Sequence, residues 1–178
     1  MMKDLEAYVI KFVGLKQGKH QFEYKITDEF FDFFEYDDFN TAEVNITVLL
    51  NKKANMLEFS FIAKGYVNLN CDVSTEAYNQ AIQNTFELVV KFGDEYNDDN
   101  EDLLILPWSD YELNIAHYIY ETIVLAIPQK RIHPGVEDGT LNSEILDKLD
   151  ELQPKAEEDK NEDDIDPRWE DLKKLLND

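Results

Sequence analysis

A single cysteine, Cys71, stands among the 178 residues. No internal disulfide framework is therefore open to the chain, and one cysteine fits a reducing compartment. Basic residues are scarce as well: 17 Lys plus Arg face 39 Asp plus Glu, for a net charge of -22. A surface of that sign repels phosphate backbones, and extensive nucleic-acid binding normally rests on many Lys and Arg contacts to phosphate. A basic protein is the natural complement. No segment approaches the roughly 20 apolar residues of a membrane-spanning helix. The opening stretch MMKDLEAYVIKFVGLKQG carries Asp4 and Glu6 and holds no apolar run of secretory-signal length. These absences predict a soluble, cytoplasmic protein that needs no membrane. Chemistry is missing too, with no Gly-x-Ser-x-Gly, no phosphate-binding glycine loop and no His pair at metal spacing. His117 and Glu121, four apart, form a helix-surface pair before they form a catalytic dyad. The expectation is a protein that is not an enzyme and takes no cofactor or metal.

The hydrophobic content of 43% supports a folded core, and the length suits one domain plus a tail. Leu5 to Leu15 reads as a first strand. From His20 to Ile26, Phe22, Tyr24 and Ile26 alternate with Gln21, Glu23 and Lys25, as in a strand with one buried face. Thr27 or Asp28 then caps a short helix to Tyr36 whose Phe30, Phe31, Phe33 and Phe34 read as core. A hairpin follows: Val44, Ile46, Val48 and Leu50 alternate, then Leu57, Phe59, Phe61 and Ala63, with Gly65 marking a bulge or bend. Ala81 to Phe92 is a further strand, its partner Asp102 to Leu106 lying across a loop with six acids between Asp94 and Asp102. That loop lacks the acid spacing and sixth-position glycine of a calcium loop and reads as a solvated hairpin tip.

The longest helical pattern runs from Leu113 to Ile127, where Leu113, Ala116, Ile119, Tyr120, Ile123 and Ile127 share a face. Pro128 ends it. Lys130, Arg131 and His133 form a small cationic island just beyond. A second helix, Glu144 to Leu152, is capped by Asn142 or Ser143, and residues 155–165 are polar enough to form a disordered linker. Asp166 and Pro167 then open a terminal helix with Arg168, on which Trp169, Leu172, Leu175 and Leu176 make one stripe. That helix docks either on its own domain or in a partner groove, being too short to stand alone in water. The architecture expected is α+β, a curved antiparallel sheet of six or seven strands with a helix packed on one face. Barrel closure stays open at this level. The boundaries are 1–136 for the core, 137–165 for the short helix and acidic linker, and 166–178 for the terminal amphipathic helix.

Three stretches, GYVNLNCD (65–72), IYETIVLAIPQKRIHP (119–134) and DPRWEDLKKLL (166–176), together resemble the YceD-like family. The resemblance implies a cytoplasmic factor in accumulation of 23S ribosomal RNA. Its motif positions here are Cys71, Asp72, Glu121, Pro128, Pro167, Arg168 and Trp169. Many members have CxxC where this chain has Cys71 and Ser74, and further cysteines where it has His133 and Gly135, so no metal ligands are carried over. The reading is a non-enzymatic factor in large-subunit assembly that binds a basic ribosomal protein or large-subunit precursor. The partner-binding candidates are Lys130, Arg131, His133 and the 166–176 helix. The alternative is direct ribosomal RNA contact, or processing or modification of that RNA.

Overall fold

The computed structural model describes residues 4–141 and 144–152. The expected linker, the caps Asn142 and Ser143, and the terminal helix with Asp166, Pro167, Arg168, Trp169, Leu172, Leu175 and Leu176 lie outside them. The chain divides into two units, residues 1–140 and 141–178. No helix of the described residues is long and apolar enough to cross a membrane.

The first unit opens differently from expectation. In place of a strand from Leu5 to Leu15, two 3-10 turns, Asp4–Tyr8 and Phe12–Gly14, flank a two-residue strand β1, Val9–Ile10. Ile10 and Phe12 are both buried, on the one face that a strand would also have covered, but the chain turns at Phe12–Gly14 and only Val9 and Ile10 find a strand partner, in Asn114 and Leu113. The Lys52 ammonium donates to the Phe12 and Leu15 carbonyls, each at 2.8 Å, and so supplies the partners a strand would have found.

β2 (Gly18–Thr27) keeps the alternation read from its residues, with Phe22, Tyr24 and Ile26 on the covered side. α1 is a single turn, Asp28–Asp32, shorter than expected. Glu35 takes a positive φ of 52° and ends any continuation. Phe30 and Phe31 enter the core, Phe34 packs against it, and Phe33 stays exposed. β3 (Thr41–Lys52) and β4 (Met56–Asn70) form the expected hairpin, and β5 (Ala77–Gly93) runs antiparallel to β4. Val48, Phe61 and Phe86 lie opposite one another across the three strands, joining apolar side chains on one face. Gly65 makes no bulge: Val44 pairs with it in unbroken register. Its role is close approach, because a Cβ there would lie 2.2 Å from the Glu43 carbonyl oxygen.

The acidic loop departs most. Residues Asn97–Asn100 form β6, and Leu103–Pro107 form β7. β7 inserts between β5 and β6, parallel to β5 and antiparallel to β6. The six-stranded order is β2-β3-β4-β5-β7-β6. With β2 and β6 both at edges the sheet is open, not a barrel, and one of its pairings is parallel. A separate two-stranded ribbon joins β1 to β8, Leu113–Asn114.

That ribbon delays the long helix. α2 spans Ala116–Val124, because Leu113 and Asn114 belong to the strand and the Asn114 side chain accepts the Ala116 amide at 2.9 Å. Turns closed by Ala126 and Ile127 amides carry the chain to Pro128. Ala116, Ile119, Thr122 and Ile123 face inward, and α2 packs on β4 and β5. Asn84 of β5 donates to the Thr122 carbonyl at 3.0 Å. α3, Pro134–Glu137, is one turn. In the second unit α4 covers Glu144–Leu152, the span read from the sequence, with no buried residue.

Candidate functional site

Two places concentrate polar chemistry on the first unit. The first is the turn between β4 and β5 together with the loop after α2. Cys71 is buried, and its sulfur accepts the Ser74 amide at 3.4 Å and the His133 amide at 3.2 Å. Asp72 and Arg131, 59 residues apart, exchange two bonds: the Asp72 amide donates to the Arg131 carbonyl at 2.7 Å, and the Arg131 amide donates to the Asp72 carboxylate at 2.8 Å. The His133 Nδ1 accepts the Gly135 amide at 2.9 Å and caps α3, leaving the ring edge-on to Tyr78. Burial by itself raises the Cys71 thiol, but donors from Ser74, His133 and Val73 outweigh it and bring it down to about 7.

Of the residues marked from the sequence, Cys71, Asp72, Arg131 and His133 therefore meet. Of the three positions at which this chain departs from the cysteines of the family it resembles, 74 and 133 give their amides to the Cys71 sulfur, and 135 gives its amide to the His133 ring. They do not suit zinc, which takes four strong ligands. Gly135 has no side chain, the Ser74 hydroxyl is a poor donor, and Nδ1 of His133 is committed to an amide. Among the described residues no group of three or more His, Cys, Asp or Glu is placed to hold a metal ion. Arg131 is only partly exposed because its guanidinium clasps the Asp38 carboxylate, with Nη1 to Oδ1 at 3.1 Å and Nη2 on Oδ2. The hydrogen bond from Arg131 holds the Asp38 carboxyl below its ordinary range. Lys130 of the same loop is exposed. Glu121 stands elsewhere, on α2, paired with His117 at 3.1 Å. Pro128 lies at the foot of that helix.

The second place was legible in the residues only in part. A groove of about 660 Å³ lies between α2, β5 and β6. Its walls include Phe86, Leu88, Leu104, Tyr118 and Leu125, and Asp98, Glu101 and Glu121 supply three carboxylates with no Lys or Arg beside them. Phe86 and Tyr118 stack with ring planes 11° apart. Burial, then the negative neighbours Tyr96, Asp98 and Glu121, push the Tyr118 phenol up to about 12. The signals that pointed here were the acid run from Asp94 to Asp102 and the His117–Glu121 pair, which nothing in the residues joined to one another. The polar composition of the acid run hides a strand, since Asn-Asp-Asp-Asn shows no apolar alternation. Another hollow, of about 610 Å³, mixes Lys19 with Glu58 and Glu87 and so has no single sign.

Comparison with known families matches residues 59–176 to the family described as Large ribosomal RNA subunit accumulation protein YceD. The matched span begins within β4 and takes in the Cys71 turn, the acid-rimmed groove and the loop after α2. No curated protein and no solved structure gives a significant match. With about two thirds of its length matched, this chain belongs to the YceD family of large ribosomal RNA subunit accumulation proteins.

Proposed function

We propose that this protein supports accumulation of 23S ribosomal RNA without catalysing a reaction, by holding a basic ribosomal protein or large-subunit precursor in the cytoplasm. The observation that carries this reading is a groove rimmed by Asp98, Glu101 and Glu121 with no Lys or Arg lining it, in a chain of charge -22. Complementary charge steers association with a basic partner and shields that partner from stray RNA. The acids between 157 and 164 would extend the same field as a tether. The Trp169, Leu172, Leu175 and Leu176 stripe would add an apolar anchor.

The test is affinity purification with crosslinking from growing cells, comparing the full chain with a truncation after Pro154. The expected result is recovery of basic ribosomal proteins or assembling large subunits at low salt, fading as salt rises. Recovery of neither would overturn the reading. Direct RNA contact through the Lys130, Arg131 and His133 island, with Lys16 and Lys19, would lean on the exposed Lys130, since the Arg131 guanidinium is already held by Asp38. Lys130→Glu that abolished RNA crosslinking would move the assignment to that alternative.

A further inference from the structure

The geometry points to the groove between α2 and β6 as the seat of an arginine- or lysine-bearing segment of a protein partner. In it the aliphatic stems lie on Tyr118 and Leu125, and the cations lie among Asp98, Glu101 and Glu121. This rests on the function proposed above and names the site and chemistry of its partner contact.

Three features select that occupant. The volume, about 660 Å³, falls within the range of sites that enclose a ligand group, roughly 300–1,000 Å³. Its apolar side is open: Leu125 is 77% exposed and lines the groove together with the stacked Phe86 and Tyr118. An aromatic face beside apolar surface suits the long stems and delocalised cations of Arg and Lys. The rim holds three carboxylates and no Lys or Arg, with Asp98 and Glu101 exposed and Glu121 half exposed beside His117. A purely apolar segment would strand those carboxylates, and a phosphate backbone would be repelled by them. A basic segment with intervening apolar residues satisfies both sides. The rim is also braced before any partner arrives: Tyr96 donates to Asp98 at 3.0 Å, and His117 stands 3.1 Å from Glu121.

The test uses the full chain and a fluorescein-labelled nonapeptide of alternating Arg and Leu, read by anisotropy. One variant neutralises the groove with Asp98→Asn, Glu101→Gln and Glu121→Gln. A second removes the same charge elsewhere with Glu6→Gln, Glu29→Gln and Asp37→Asn, all exposed. The groove variant should weaken binding by about tenfold or more and the remote variant by less than about threefold. Leu125→Ser should weaken the Arg-Leu peptide and spare an Arg-Ser peptide of equal charge. Equal losses in both charge variants, or none in either, would overturn the groove as a site. So would a single-stranded RNA of nine nucleotides binding in place of the peptide. If the groove variant still recovers basic ribosomal proteins from cells as the parent does, the seat is wrong and the proposed function stands. If the parent recovers none, the function itself falls.

Discussion

The guanidinium of Arg131 clasps the carboxylate of Asp38, 93 residues earlier in the chain, through both terminal nitrogens. Its backbone is bonded at the same time to Asp72. The centre of the cationic island is therefore a strut that fastens the loop after α2 to the loop after α1 and to the turn after β4. That geometry sets the first prediction. Arg131→Ala and Asp38→Asn should each cost about 1 kcal/mol, as bidentate pairs near the surface do. The Asp38 carboxyl is lowered, so the pair's contribution is present above the ordinary carboxylate range and is lost as pH falls through the lowered value. A double-mutant cycle by urea unfolding should show coupling at neutral pH that disappears in acid. Coupling that persists in acid would contradict the assignment.

A thiolate is the second expectation. With its thiol brought down to about 7, Cys71 should ionise near neutrality. The ultraviolet absorbance difference between the parent and Cys71→Ala should rise with a midpoint near 7, against about 8.5 for a free cysteine. A lowered value stabilises above the unfolded value and loses that stabilisation as pH falls through the folded one. The stability gap between parent and Cys71→Ser should accordingly narrow from about pH 9 to about pH 6. An absorbance midpoint near the free value would defeat the hydrogen-bond account.

Two glycines separate backbone from side-chain crowding. A Cβ on Gly65 would meet the Glu43 carbonyl oxygen at 2.2 Å and the Val44 Cα at 2.6 Å, whereas one on Gly93 would meet the Ile105 Cγ2 methyl at 2.7 Å. Backbone cannot step aside without breaking the ladder, whereas the Ile105 side chain can shift about χ1. Gly65→Ala should cost about 3 kcal/mol or more and Gly93→Ala about 1 kcal/mol, measured from urea midpoints. Equal costs would show that the β3–β4 approach is not tight.

Thr75 holds a φ of +61° in the turn that positions Cys71, its amide bonded to the Cys71 carbonyl at 2.9 Å. A β-branched residue in that region is strained. Thr75→Asn should relieve about 1 kcal/mol and raise the thermal midpoint by about 2–4 °C. A fall in the midpoint would mean that the threonine side chain contributes more than its backbone costs.

Some of the site could be read from residues alone and some could not. Cys71, Asp72, Arg131 and His133 stood out because each belongs to a short local pattern. Their meeting could not be read, since the bonds joining them span 59 to 62 residues. The acid run was visible too, but a solvated tip and an edge strand look alike when every residue is polar. Which acids face Tyr118 depends on where β6 lies against α2.

By itself the sequence determined the long β2–β3–β4–β5 strands, the inward face of each, and the helix that ends near Pro128. These follow from side-chain periods of two and 3.6, which are properties of neighbouring residues. The family too was legible in three short stretches. Tertiary structure alone decided that β7 threads between β5 and β6, that the sheet stays open, and that Leu113 and Asn114 leave the helix to pair with β1. Each is a choice among non-local pairings that satisfy the same local pattern, and the winner is set by which backbone partners and buried surfaces the whole chain can supply at once.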